Sequence, residues 1–203
     1  MSVSEAKPDI GFTFYNTLPA GFETDLAESL CRERLSVQSA RISSGPFAGI
    51  ELYLPAAAML FVATAYFTGF VQKAGEDHYE LLKVAAKKLW QRASALRMTT
   101  AGSAGKVHQT PFSLAYAIMG EVSGGNRFKF IIRVELGETE AETGIRAFLD
   151  LLRDIHAGTM CEDDLNALLT YHAVGGTTLV TFDPKLGRIV PVNAFDRSSV
   201  TER

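Results

Sequence analysis

The strongest constraint in this chain is a run of twenty residues, Leu52 to Val71, that carries no formal charge. A run of that length either crosses a membrane or lies at the centre of a globular core, because a spanning helix needs about 20 apolar residues. Its drive toward lipid is modest. Five of the twenty are alanine, and Pro55, Gly69, Thr64, Thr68, Tyr53 and Tyr66 add nothing, which leaves three Leu, three Phe, two Val and Met59.

The approach to the run has strand character, since Ala48, Ile50, Leu52 and Leu54 alternate with Phe47, Gly49, Glu51 and Tyr53. Pro55 then suits the first position of a helix, where its missing N–H is no loss. A helix over Ala56 to Val71 is about 24 Å long, short of a hydrocarbon core of about 30 Å. The expectation is therefore a buried helix that starts at Pro55, with Ala65 and Gly69 suited to close packing. The alternative releases residues 55–71 from the core into a bilayer and makes the protein a membrane-acting effector.

A second helical pattern follows, with Tyr79, Leu82, Ala86, Leu89, Ala93 and Leu96 on one stripe. Glu76, Asp77 and Glu80 stand at its start and Lys83, Lys87, Lys88 and Arg92 later, an order that complements the helix dipole. One unbroken helix from Ala56 to Leu96 would be about 61 Å long, beyond the roughly 45 Å diameter of a compact chain of this size. The spacing predicts one long central helix that bends or breaks near Gly69 or Gly75, or else projects as an arm.

Elsewhere the segments are shorter. Phe12 to Asn16 reads as strand, Phe22 to Arg34 as helix, and Val37 to Ile42 with Phe47 to Leu54 as a hairpin around Ser43-Ser44-Gly45-Pro46. Phe112 to Val122 and Arg127 to Leu136 form a second hairpin around Ser123-Gly124-Gly125-Asn126. Thr139 with Glu142 has the form of a capping box ahead of a helix stopped by Gly158, and Thr159 with Glu162 repeats it. Thr177 to Phe182 and Arg188 to Asn193 make a last hairpin. The order predicts an α+β fold: a mixed, largely antiparallel sheet with helices packed on one face, ferredoxin-like over the first 120 residues. A single domain over 1–193 with a loose tail over 194–203 is expected.

Chemistry-bearing patterns are sparse. Thr100 to Lys106 looks like a phosphate loop, yet Thr100 and Val107 stand where a Walker sequence needs Gly and Ser or Thr, and a helix precedes it instead of a strand. His78 lies among helix-start acids, and His108 and His172 have no partner by spacing. His156 and Cys161, with Glu162, Asp163 and Asp164, fall at the junction of two helices. That cluster is the alternative enzyme site, pairing a thiol with a base or binding a metal. The blander reading is a helix-end histidine, favoured by the dipole, and a capping acid. No metal or cofactor is expected, and enzymatic activity is the less favoured class. Cys31 and Cys161 form no ligand or disulfide pattern, and Met1 to Ile10 lacks the apolar stretch of a secretory signal. Both point to the cytoplasm.

Charge distribution is the remaining signal. Leu81 to Gly120 contains no acid but six cations, Lys83, Lys87, Lys88, Arg92, Arg97 and Lys106. Glu135 to Asp164 holds nine carboxylates against Arg146 and Arg153, a net of seven negative charges. Either these segments face each other inside one molecule, or the basic helix docks an acidic surface of a protein partner or another copy, with Trp90 as anchor. Lys83, Lys87, Lys88, Trp90 and Arg92 are then the binding residues of a non-enzymatic interaction or regulatory domain. Nucleic acid is disfavoured, because the chain's net charge is −3 and aromatics are not interleaved with the cations. An anionic membrane surface is the weaker alternative partner.

Overall fold

In the computed structural model, which describes residues 8–19, 21–22, 26, 30, 35–43, 53, 55–73, 75–96, 110–171 and 173–194, the uncharged run divides between two elements. Strand β1 (Ile10–Tyr15) and strand β2 (Val37–Ile42) precede it. Ala58–Val62 is then a third strand, β3, and the helix expected from Pro55 begins instead at Thr64. The reason is tertiary. β3 lies between two other strands, pairing antiparallel with β1 through Ile10↔Val62 and parallel with β4 (Phe112–Glu121) through Ala58↔Tyr116. Ala58, Leu60 and Val62 are buried on the helix side, while Met59 and Phe61 turn to the other face. Pro55 sits just ahead of the strand, where its carbonyl accepts the Tyr15 hydroxyl at 2.7 Å.

Two helices follow, α1 (Thr64–Lys73) and α2 (Gly75–Ser94). The Glu121 carboxylate, at the end of β4, accepts the Thr64 N–H at 3.2 Å, a favourable place for negative charge at a helix start. A single straight helix is not formed. The Tyr66 O–H reaches the His78 carbonyl at 3.2 Å, whereas twelve residues of straight helix span about 18 Å. The chain therefore turns sharply between them, near the expected Gly75. No helix of the described residues is long and apolar enough to cross a membrane, and Phe67 is buried.

β4 forms a hairpin with β5 (Arg127–Arg133), then come α3 (Glu138–Ala157), α4 (Glu162–Leu169), β6 (Thr177–Asp183) and β7 (Arg188–Pro191). The strands make one seven-stranded sheet in the order β2-β1-β3-β4-β5-β6-β7. Pairings alternate: β1/β2, β3/β4 and β5/β6 are parallel, while β1/β3, β4/β5 and β6/β7 are antiparallel. The α+β class holds, but the sheet is evenly mixed and not largely antiparallel. Each parallel pair joins immediate neighbours through a crossover, twice in the form strand, two helices, strand, hairpin. A ferredoxin-like start needs a strand between the two that the first crossover joins, and none lies between β1 and β2. Residues 44–52 and 54, most of the second strand of the expected first hairpin, lie outside the described set, as do all but Phe22, Leu26 and Leu30 of the helix expected over Phe22 to Arg34, and the tail from 195.

The main core fills the space between the sheet and the helices. The α3 stripe Ala141, Gly144, Ile145, Phe148, Leu149 and Leu152 is buried against it, with the Phe148 ring stacked on Phe130 at 5.1 Å. Gly144 is required there, since a β-carbon would lie 2.7 Å from Phe182 Cβ. Tyr116 is wholly buried and donates its hydroxyl hydrogen to the Ala86 carbonyl of α2 at 3.0 Å. The N-cap of α3 is Gly137, two residues before the expected Thr139, and its N–H is accepted by the Glu140 carboxylate at 3.1 Å. Gly158, at φ 68°, ends the helix as its position in the sequence suggests.

The opposite sheet face carries a smaller apolar cluster of Ala56, Phe112, Ala117, Ile131 and Leu179. Lys129 stands within it, paired in register with Met119 on one side and Leu179 on the other, and only 3% exposed. Burial lowers its pKa from 10.5 to about 8.

Candidate functional site

Helix α2 presents the five residues read from sequence as a docking face, and the fold divides them between two sides of the helix. Lys83, Lys87 and Trp90, spaced by four and three, share one side, and ion pairs fix that side against α3. The Lys83 ammonium lies 3.3 Å from Asp150 and 3.2 Å from Glu80, and that of Lys87 lies 2.6 Å from Glu142. Gln91 extends the seam by donating to Glu138 at 3.2 Å. Trp90 is half-buried and packs against the main core. Arg92, on the other flank, donates to the Phe22 carbonyl at 2.7 Å. Lys88 is the exposed member, one turn from Val84, which is 45% exposed.

The basic and acidic segments thus meet inside the molecule, along α2 and α3. Tyr79 stands at their junction and donates its hydroxyl hydrogen to Asp150 at 2.7 Å. Lys83 and Arg153 approach its ring at 4.3 and 5.3 Å, and Arg153 also pairs with Asp150 at 3.3 Å and Asp154 at 3.0 Å. Burial first, then the hydrogen bond to Asp150 and that carboxylate's charge, hold the Tyr79 phenol far above its ordinary range. A phenol so held stays protonated and serves as a fixed donor, not as a base.

Asp150 and Asp154 also border a feature the sequence did not reveal, a cleft of about 550 Å³ between α3, α4 and β7. Ala147, Asp150, Leu151 and Asp154 recur on α3 at helical spacing and form one wall, beside the stripe that enters the core. Met160, Asp164, Ala167 and Leu168 form the α4 side, and Gly187 to Pro191 the β7 side. The apolar part of the lining includes Leu151, Met160, Leu168, Ile189 and Pro191. Asp164 on one rim and Arg188 on the other are exposed, with no ion pair among the described residues. The volume lies within the range of about 300–1,000 Å³ usual for ligand pockets. The spacing of Ala147, Asp150, Leu151 and Asp154 was readable, but what faces it was not.

His156 and Cys161 serve different elements. His156 Nε2 lies 2.8 Å from the Glu121 carbonyl, which can only accept, so that nitrogen carries the hydrogen. Its ring is stacked on Phe67 of α1 at 4.5 Å, which makes it a brace between α3, α1 and β4. Cys161 is exposed at the N-cap of α4. Among the described residues no group of three or more His, Cys, Asp and Glu side chains is arranged to hold a metal. His78 is described through its carbonyl bond to Tyr66. His108, His172, Cys31 and the phosphate-loop-like segment 100–106 lie outside the described residues.

No known protein family, curated protein or solved structure matches this chain.

Proposed function

We propose that this chain is a non-catalytic binding domain that docks a protein partner on its helical layer, with the cleft between α3, α4 and β7 as the point of insertion. The observation that supports this reading is a cleft with a largely apolar lining bordered by charged residues, open to solvent and large enough to take side chains from another molecule. The basic helix remains part of the reading in a reduced role. Lys83, Lys87 and Arg92 already hold partners in their own chain, so α2 offers Lys88 and Val84 on its outer face beside the cleft-bearing layer. Exposed charges of that kind orient and accelerate encounter more than they hold a complex together.

A photo-reactive amino acid at Ala167, exposed on the α4 wall, tests the reading in the native host. The expected result is a discrete cross-linked species that is absent when the probe sits at Ala40 on β2, the opposite sheet edge. The same species should disappear when Ala147→Trp fills the cleft. An identical pattern at positions 167 and 40, or cross-linking that survives the filled cleft, overturns the proposal.

A further inference from the structure

We propose that the occupant of this cleft is a helical segment of a partner that inserts an apolar side chain flanked by lysines or arginines, and that it binds without adding a strand to the sheet. The inference rests on the docking reading above and gives it a chemistry.

Strand addition is disfavoured by the backbone of β7. The Val192 N–H donates to the Leu179 carbonyl at 2.9 Å, and Val190 is paired with Thr181. By alternation the backbone groups of Ile189 and Pro191 turn to the outer edge. Proline has no N–H, so the outer edge of Arg188–Pro191 offers a donor at Ile189 alone, too little to template an extended peptide. What the cleft does offer is side-chain space. Leu151 and Ile189 form walls of fixed shape, and Met160 is an adaptable thioether that fits a variable apolar guest. A helix presenting anchors at i, i+3 or i+4 uses such a groove without needing its edge.

Charge chooses the flanks. Glu162, Asp163 and Asp164 make up the exposed first turn of α4, and no ion pair with a described residue neutralises any of them. Asp154 adds a carboxylate on the α3 rim, shared with Arg153. Arg188 opposes them from the β7 rim. A cationic guest is therefore drawn to the α3/α4 side and repelled from β7, which also sets its orientation. An acidic guest meets Asp164 on the cleft rim, with Glu162 and Asp163 on the exposed turn beside it, none of them in an ion pair with a described residue.

The probe is a fluorescein-labelled, capped peptide of about fourteen residues, long enough for marginal helix formation, with Leu at i, i+3, i+4 and i+7 and Lys at the charged positions. One control replaces every Lys with Glu and a second replaces every Leu with Ser. By fluorescence anisotropy the Lys/Leu peptide should bind and both controls should not. Asp154→Asn with Asp164→Asn should weaken it about five-fold, the scale of one or two exposed ion pairs, and raised salt should weaken it further. Ala147→Trp, which fills the cleft from the α3 side, should abolish binding at unchanged fold by circular dichroism. Equal binding of the Lys/Leu and Glu/Leu peptides, retention by the Lys/Ser control, or indifference to the cleft substitutions overturns the inference. A native cross-link at position 167 without Lys/Leu binding sinks this chemistry alone and leaves the docking reading standing.

Discussion

Replacing Lys129 with methionine should stabilise the protein by an amount that depends on pH in one direction only. Lys129 is 3% exposed between Met119 and Leu179, and burial lowers its pKa from 10.5 to about 8. In the unfolded chain the amine titrates near 10.5, so between pH 8 and 10.5 the unfolded state binds more protons and stability rises with pH. Above 10.5 the penalty is gone. Below 8 both states are charged and the folded state carries the whole cost of a buried ammonium. At about 1.4 kcal/mol per pKa unit, that cost is on the order of 3 kcal/mol at pH 7. Methionine keeps the unbranched stem and removes the charge. Denaturant unfolding of both proteins at pH 7, 9 and 10.5 should show a gain of about 3 kcal/mol at pH 7, about 2 at pH 9 and under about 1 at pH 10.5. A gain that does not fall with pH, or a loss at pH 7, refutes the reasoning, since either means that the ammonium is not desolvated in the fold.

Two further substitutions probe the helical layer. Gly144→Ala places a β-carbon 2.7 Å from Phe182 Cβ and 3.2 Å from the Phe130 ring, so overpacking should lower stability by about 1–3 kcal/mol in denaturant melts; an unchanged midpoint would show that α3 can retreat from the sheet. For the seam, a double-mutant cycle on Lys87→Ala and Glu142→Ala, whose side chains are 38% and 21% exposed, should give a coupling of about 0.2–1 kcal/mol that shrinks at 1 M salt. Zero coupling at low salt would return Lys87 to the pool of charges open to a partner.

Elements with a regular apolar stripe were legible in the chain, although the face of β5 that carries Lys129 and Ile131 reads as wet and is buried. β5 shows one helix-covered face, with Phe128, Phe130 and Ile132 alternating along it, and α3 declares itself by its apolar stripe and by Gly158. β3 did not, because it is a central strand with apolar residues on both faces, and such a strand reads as an unbroken run that periodicity cannot separate from a buried helix. Alanine at positions 56 to 58 removed even the size contrast between faces. Pro55 then supplied a helix start that the pairing of β3 with β1 and β4 overrode. Pairing is the part that no local pattern encodes: the neighbourhood of β1 and β2 depends on the crossover between them, not on either strand's residues.

The candidate site was legible in its charges but not in their destination. A basic helix and an acidic helix of the same chain satisfy each other or a partner with the same residues, and composition does not distinguish the two. Distance does. Asp150 receives Tyr79, Lys83 and Arg153 together, and Glu142 receives Lys87. Besides Lys88 on α2, a cluster without ion pairs among the described residues lies at the first turn of α4, where Glu162, Asp163 and Asp164 read in the sequence as ordinary helix-start acids. The polarity of the proposed docking therefore reverses. In that proposal the chain would offer acids at the cleft, and the partner a basic helix.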